Sequence, residues 1–128
     1  MASKVEVDGL AGAGSAGVMT VVGEGGSTTT SLQQGLGKYW TQFNGTGTVA
    51  TQDSFNQGGL TDNGTGDYTT SFTNNMNNDD YASGFGTNTG EPEIHTLATS
   101  SFRASMLNSS GSNNDKSIVS YIILGDLA

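Results

Sequence analysis

The sequence predicts an all-β fold: a small antiparallel β-sandwich-like domain that carries an extended, glycine-rich N-terminal arm. Short stretches of Val, Ile, Tyr, Phe and Thr alternate with polar residues, as in half-buried strands. Clusters of Asn, Gly, Asp and Ser separate these stretches at short intervals, as turns do. No helical periodicity of useful length occurs along the 128 residues. These observations together define the fold class.

Composition raises a competing interpretation, which is disorder. Gly, Ser, Thr and Asn dominate the chain, and such residues are typical of segments that bury too little apolar surface to fold. Against this, the chain holds a single Pro, 12% charged residues and 33% hydrophobic residues. Disordered chains are usually richer in Pro, Lys and Glu. The composition therefore favours a β-domain with Thr, Ser and Asn on its wet faces.

Charge and cysteine content exclude several classes of function. The formal net charge is −8, and the basic residues Lys4, Lys38, Arg103 and Lys116 form no cluster, so we expect neither a nucleic-acid nor a membrane partner. No apolar run approaches the roughly 20 residues of a membrane span, and the first residues lack the apolar core of a signal peptide. The absence of Cys excludes disulfides, thiolate metal sites and a Cys nucleophile. Oligomerisation is the expected source of additional stability.

Residues 1–36 are predicted to form an N-terminal anchoring and docking arm. Residues 3–8, Ser-Lys-Val-Glu-Val-Asp, alternate polar and apolar side chains as a short half-buried strand does. Val18–Val22 is a second apolar piece, and the glycine-rich stretches 9–17 and 23–31 are expected to be flexible. Two short strands cannot build a core of their own. We therefore expect the arm to become ordered on a partner or on another copy of the chain.

Residues 37–128 are predicted to form the β-sandwich-like domain. Tyr39, Thr41 and Phe43 share one face of its first strand, and Thr48–Phe55 is the second strand. Asp62-Asn-Gly-Thr-Gly-Asp67 is the clearest turn signal, with Asn63–Gly64 as the expected corner of a hairpin. The expected core anchors of this half are Phe43, Val49, Phe55, Tyr68, Phe72 and Met76.

The second half of this domain continues the pattern of strands and turns. We expect a polar loop, a strand, a further loop, one or two strands, a turn and a final strand, over Asn74–Asp80, Tyr81–Gly86, Thr87–Pro92, Ile94–Met106, Asn108–Asp115 and Ser117–Leu124. The final strand has apolar residues on both faces. Such a strand lies either at the centre of a sandwich or between subunits.

Candidate chemical sites have simpler structural explanations. His95 is the single histidine and lies within a strand pattern, so we expect a structural role. Asp62–Asp67 loosely resembles a calcium loop but lacks the distant bidentate Glu, and a hairpin turn explains each of its residues. The cluster Asn77–Asp80 is an equally weak cation site. We therefore predict no catalytic, cofactor-binding or metal-binding residue.

Two further patterns have alternatives that the sequence leaves open. Five carboxylates could supply a glycosidase pair, although solubility explains them better: Asp53, Asp79, Asp80, Glu91 and Glu93. The sequons at Asn44, Asn63 and Asn108 are expected to be turns. Tyr81 and Phe85, near the Asn-rich loop, have the residue types that sugar binding uses and that a small β core also uses.

The stretch Lys38–Gly86 resembles a module of tailed-bacteriophage virion surface proteins. The shared pattern runs W-x-x-F-N-G-T-G-T, then D-S-F-N, then T-D-N-G-T-G-D-Y-T, with a later F, M and Y. Here it covers Trp40, Phe43, Asn44 to Thr48, Asp53 to Asn56, Leu60 to Thr69, Phe72, Met76 and Tyr81. An ending resembling that of the family follows at Leu107 to Ser112, with Asp115 and Val119. The chain departs from the pattern at Gln57–Gly59 and at Asn77–Asp80.

The resemblance implies a non-enzymatic, β-rich virion protein, often trimeric, assembled in the host cytoplasm and exposed on the particle. Its implied partners are other virion proteins, the major capsid or tail proteins, and further copies in a homotrimer. The short chain favours a capsid decoration or head-fibre knob. The alternative is a tail-fibre or lectin-like receptor-binding module that recognises a host-surface glycan through the loops Asn74–Asp80 and Thr87–Glu91.

Overall fold

A computed structural model describes residues 7–9, 19–23 and 25–128. The chain divides into two compact units, Met1–Leu36 and Gly37–Ala128. Most of the strand predicted over residues 3–8 lies outside the described residues. In the described part of the chain the fold consists almost entirely of antiparallel strands, and the all-β prediction is confirmed.

The first unit contains a short hairpin followed by a single helical turn. Strand β1 (Thr20–Val22) pairs antiparallel with β2 (Thr29–Ser31), and helix α1 (Leu32–Gly35) follows directly. The Ser31 hydroxyl caps α1 by accepting a hydrogen bond from the Gln34 backbone N–H at 3.4 Å. Strand β2 covers the last three residues of the stretch 23–31, for which the sequence predicts flexibility, and it pairs with Thr20, Val21 and Val22.

The second unit is built from two four-stranded antiparallel sheets. Its eight strands are β3 (Gly37–Asn44), β4 (Ala50–Phe55), β5 (Gln57–Gly64), β6 (Asp67–Phe72), β7 (Ala82–Thr87), β8 (Glu91–Leu97), β9 (Ser101–Leu107) and β10 (Val119–Leu124). The first sheet has the order β4-β3-β10-β7, and the second has the order β5-β6-β9-β8. The predicted region Ile94–Met106 therefore contains two strands, which pair with each other.

Aromatic side chains from both sheets meet in one core. Tyr39 packs edge-on against Phe72 with ring centroids 5.1 Å apart, and Phe43 packs against Tyr68 at 5.0 Å. These two pairs join β3 of the first sheet to β6 of the second, and edge-to-face contacts of this kind add to the stabilisation from burial. The inward faces of β9 and β10 complete the core with Phe102, Ala104, Met106, Val119, Tyr121 and Ile123.

Two details of the predicted first half are wrong. The corner of the β5–β6 hairpin lies at Thr65–Gly66, whereas Asn63 is an extra residue in β5 opposite the pair Tyr68–Asp67. Gly66 has φ of 65°, which explains why the corner falls there. Phe55 is 52% exposed and does not anchor the core. The extra residue Gln52 in β4 reverses the alternation of side chains, so that Phe55 faces outward with Trp40.

The structure shows why strand β10 is apolar on one of its two faces. It lies inside the first sheet, between β3 and β7, and its inward side chains are buried. Ile122 and Leu124 on its other face are 46% and 41% exposed. A central position therefore explains one apolar face of this strand, and the outer apolar face requires a separate explanation.

Candidate interaction surface

The outer side of the first sheet carries a continuous row of apolar side chains. Phe55, Trp40 and Ile122 are direct cross-strand neighbours on β4, β3 and β10, and Leu124 lies two residues farther along β10. Directly opposed residues in an antiparallel pair have Cβ atoms about 5 Å apart, so Phe55, Trp40 and Ile122 are adjacent on this side of the sheet. We call these four residues the apolar face.

Glycines on the flanking strands give the apolar face its shape. A Cβ at Gly84 would lie 3.0 Å from Ile122 Cγ2, and a Cβ at Gly37 would lie 3.7 Å from Ile122 Cδ1. Ile122 therefore lies over backbone on both sides. Trp40 and Phe55 remain 39% and 52% exposed. Contiguous exposed apolar residues of this kind are characteristic of a binding surface.

The outer side of the second sheet is polar by contrast. Asp67 forms a bidentate ion pair with Arg103, with Nη2–Oδ2 and Nε–Oδ1 distances of 2.6 and 3.0 Å. The hydrogen bond from Arg103 holds the pKa of the Asp67 carboxyl below its ordinary value. His95 is the extra residue of a bulge in β8, and its Nε2 lies 2.6 Å from the hydroxyl of buried Ser105. This contact fixes the ring against the sheet.

The two carboxylates of the turn Asp62–Asp67 accept hydrogen bonds from protein donors. Asp62 accepts a hydrogen bond from the Gly64 backbone N–H at 2.9 Å, and Asp67 is paired with Arg103. Asn63 donates to Thr69 Oγ1 at 2.8 Å. Each of these contacts stabilises the hairpin. Among the described residues, no group of three or more His, Asp or Glu side chains comes together as a metal site would require.

The two loops considered for glycan recognition lie at opposite ends of the second unit. Asn74–Asp80 precedes β7 and Thr87–Glu91 follows it, so the six residues of β7 separate them by about 20 Å. Tyr81 and Phe85 are packed inward. The Tyr81 hydroxyl contacts Ala98 O and Ser101 O at 3.2 and 3.1 Å, and burial raises its pKa. The two loops therefore do not combine into one site.

Residues of the phage-like pattern have structural contacts. The side chain of Asn44 accepts hydrogen bonds from the backbone N–H and hydroxyl of Thr46 at 3.0 and 2.7 Å. The Tyr68 hydroxyl lies 3.0 Å from both Gly45 O and Asp115 Oδ1, and burial, then Asp115, raises the Tyr68 pKa. A Cβ at Gly45 would collide with that hydroxyl. The pattern thus holds a loop of the first sheet against β6 of the second.

Strands β4 and β5 meet along one edge of the domain, which we call the polar seam. Gln57 accepts a hydrogen bond from Thr41 Oγ1 at 2.7 Å and donates one to Thr51 Oγ1 at 2.8 Å. Asn56, with φ of 61°, links the two strands and donates to Lys38 O and Asn74 O, both at 3.0 Å. A cleft of about 430 Å³ lies here, lined by Val49, Thr51, Ser54, Gln57, Gly58, Gly59 and Leu60.

Sequence reasoning missed both the apolar face and the polar seam. The signal for the apolar face was the second apolar side of Ser117–Leu124 together with Trp40, but the bulge that turns Phe55 outward leaves no mark in the local pattern. In the part of the chain that the structure describes, no helix is long and apolar enough to cross a membrane. A search of family models, of curated proteins and of solved structures found no match to this chain.

Proposed function

We propose that this chain is a non-enzymatic structural protein of a tailed-bacteriophage virion. It projects from the particle surface as a homotrimeric capsid decoration or head-fibre knob, and its N-terminal arm, residues 1–36, anchors it in the assembly. The sequence resemblance supplies the class of protein. The observation that carries the proposal is the exposed apolar face of Phe55, Trp40, Ile122 and Leu124 on the outer side of the first sheet.

The apolar face suits attachment to another virion protein. Large apolar and aromatic side chains at the centre of an interface contribute most of its binding energy, and Trp is especially effective there. Surrounding polar residues such as Gln42 and Ser120 on the same side of the sheet would form the rim. The net charge of −8 keeps the free protein soluble and discourages non-specific association before assembly.

The phage-like pattern supports a scaffold rather than a reaction site. The Asn44 side chain holds its own loop through Thr46, and the hydrogen bond from the Tyr68 hydroxyl to Gly45 O joins the two sheets. Ser105 and His95 are in contact, but Ser105 is fully buried beneath the sheet surface. A substrate carbonyl has no approach to a hydroxyl in that position. The proposal therefore assigns the domain to architecture and surface display.

Location on the particle is the first test. Immunogold electron microscopy with antibodies against the purified protein should label the capsid of the phage that encodes it, and a particle map should show its density there. Label restricted to the tail, together with adsorption of the purified protein to host cells or to a glycan array, would favour the receptor-binding alternative. Particles without label would overturn the virion role.

The apolar face is tested by incorporation into particles. Trp40→Ser should reduce incorporation at least tenfold, whereas Gln42→Ser, on the same side of β3, should leave it within about twofold, because loss of a central aromatic costs about 2 kcal/mol or more. Circular dichroism of both variants verifies folding. Equal incorporation of the two variants would contradict the assigned surface. Light scattering of the purified protein measures the number of copies, and a stable monomer would contradict the trimer.

A further inference from the structure

The second edge of the domain, where β7 and β8 lie, is open, and we call it the apolar seam. In the pairing of β8 with β9, Ile94 lies opposite Ala104, which is fully buried in the core. Ile94 therefore faces inward. Nevertheless Ile94 is 46% exposed. Phe85 of β7 also faces inward, against Phe102 and Tyr121, and is only partly buried. Core-facing apolar side chains therefore meet solvent along this seam.

Strand β7 is also the one edge strand of the second unit that lacks protection. The other three edge strands, β4, β5 and β8, each contain at least one bulge and at least one carboxylate, and β8 also contains Pro92. Bulges, charges and Pro on an edge prevent pairing with a further strand. Strand β7, Ala82-Ser-Gly-Phe-Gly-Thr87, pairs with β10 without a register shift and has no charge. Among the described residues, nothing forms a backbone hydrogen bond with its outer edge.

We propose that the apolar seam accepts an extended strand from a second copy of this chain, hydrogen-bonded to the outer edge of β7. A strand added there would lie about 4.8 Å from β7, with alternate side chains pointing toward the open core. Such a strand completes the burial of Phe85 and Ile94. It also satisfies the free backbone groups of β7.

The donor is the segment Lys4-Val-Glu-Val-Asp8 of the neighbouring copy. Its sequence has the alternation that the apolar seam requires, with two β-branched apolar residues that can face Ile94 while the charged residues face water. The stretch 9–17 that follows has the glycine-rich composition that suits a linker. Donation from each copy to the next is a head-to-tail contact, which closes into a ring when the rotation between copies permits. This inference rests on the anchoring role proposed for residues 1–36 but not on the virion location.

Disulfide trapping tests the contact directly, because the full chain contains no Cys. Two single-Cys proteins of different tag length are mixed and oxidised, one bearing Val5→Cys or Val7→Cys and the other bearing Ser83→Cys or Thr87→Cys on the inward side of β7. We expect a covalent heterodimer for at least one combination. Gln52→Cys, on the exposed β4 edge, replaces the β7 variant in the control.

The outcomes separate the inference from the virion proposal, because no particle is needed. Heterodimers at β7 and not at Gln52→Cys support strand donation between copies. No heterodimer, or equal trapping at both edges, overturns it. A single chain that carries both Cys residues is a further check. If it forms the disulfide within one molecule and no heterodimer forms between the single-Cys proteins, the proposal is overturned, because the donor strand then belongs to the same chain.

A charge substitution provides a second measurement on the full chain. Val5→Asp combined with Val7→Asp should lower the mass measured by light scattering about threefold, from trimer to monomer, because a carboxylate is not tolerated in an apolar seam. Lys4→Asp, which faces water in the proposed strand, should leave the mass unchanged. An unchanged mass in the double Val variant would contradict the proposal.

Discussion

The two edges of the sandwich differ in the chemistry of the side chains that their strands point inward. Along the polar seam, Gln57 and Thr51 hydrogen-bond across the gap between the sheets, so water can wet the remaining surface at little cost. Along the apolar seam, the inward-facing residues include Phe85 and Ile94, whose apolar side chains are exposed to water at a cost in free energy. At one edge the inward polar groups are hydrogen-bonded within the chain, and at the other edge inward apolar side chains remain exposed.

The comparison shows that the edge strands differ in sequence and regularity although the two sheets share one architecture. Both sheets have four strands and the same antiparallel pairing. Three of the four edge strands contain bulges and carboxylates, which prevent pairing by repulsion and by geometry. The four predictions that follow test the difference between the seams, and they begin with the largest expected effect.

Alkaline pH should destabilise the second unit through Tyr39, which lies in the core beside the polar seam. Burial raises the pKa of Tyr39 from 10.0 to about 12, and the nearby hydroxyls of Thr70 and Thr41 offset this only partly. A raised pKa in the folded state gives stability that is complete below pH 10 and is lost as the pH rises toward 12. Tyrosinate absorbance at 295 nm and circular dichroism should change together. Tyrosinate formation well below the unfolding transition would show that Tyr39 is accessible to water.

Gly90→Ala should destabilise the loop that joins β7 to β8 across the apolar seam. Gly90 has φ of 81°, and a Cβ there would collide with Leu107 O. We expect a loss of about 3 kcal/mol in the free energy of unfolding relative to Gly111→Ala. Gly111 has a similar φ of 76° with open space around it, so it controls for the backbone conformation alone. Equal losses in urea titrations would show that the collision is relieved by movement of the loop.

Gln57→Ala should lower the free energy of unfolding by about 1–3 kcal/mol, because the buried Thr41 hydroxyl loses its acceptor at 2.7 Å and keeps only the distant Asp53 O at 3.5 Å. Gln52→Ala on the neighbouring exposed position of β4 should change the free energy of unfolding by less than about 0.5 kcal/mol. Thermal or urea unfolding measures both variants. If the two variants are equally stable, water replaces Gln57 and the seam is not held by that side chain.

Ile94→Ala should have the smallest effect in a monomer, below about 1 kcal/mol, because nearly half of the side chain is already exposed. Ile123→Ala, at a fully buried position, should cost about 2–5 kcal/mol and serves as the reference. Measurements at several protein concentrations make this test more specific. If another copy covers the apolar seam, the cost of Ile94→Ala should increase with protein concentration, and a constant cost would argue against coverage.

The alternation of apolar and polar residues was sufficient to predict most strands. It did not predict which side chains face inward after a bulge. Tyr39, Thr41 and Phe43 share one face of β3 as predicted, and that face is buried, because a regular strand places every second side chain on the same side. Phe55 was misassigned because Gln52 is an extra residue in β4, and a bulge depends on the partner strand. Met76 was correctly assigned to the core, where it is 1% exposed and bridges to Leu127 at the chain end.

The candidate surfaces were predictable only in part. The sequence showed that Ser117–Leu124 has two apolar faces, but it could not show which strands flank β10 or that Trp40, Phe55 and Ile122 form a row. The apolar seam depends on the topology, in which β7 is an edge strand among the residues that the structure describes. Likewise, the separation of the loops Asn74–Asp80 and Thr87–Glu91 follows from the direction of β7.

The bulge at Asn63 has a consequence for the chemical ageing of the protein. An Asn-Gly pair deamidates when the Gly nitrogen attacks the Asn side-chain carbonyl carbon to form a cyclic imide. Here the Gly64 nitrogen donates to Asp62 and the Asn63 amide donates to Thr69. Both reacting groups are thus restrained within the hairpin, and we expect much slower deamidation in the folded protein than in the denatured chain. Peptide mapping by mass spectrometry after storage would measure this protection, and equal rates would show that the bulge opens freely.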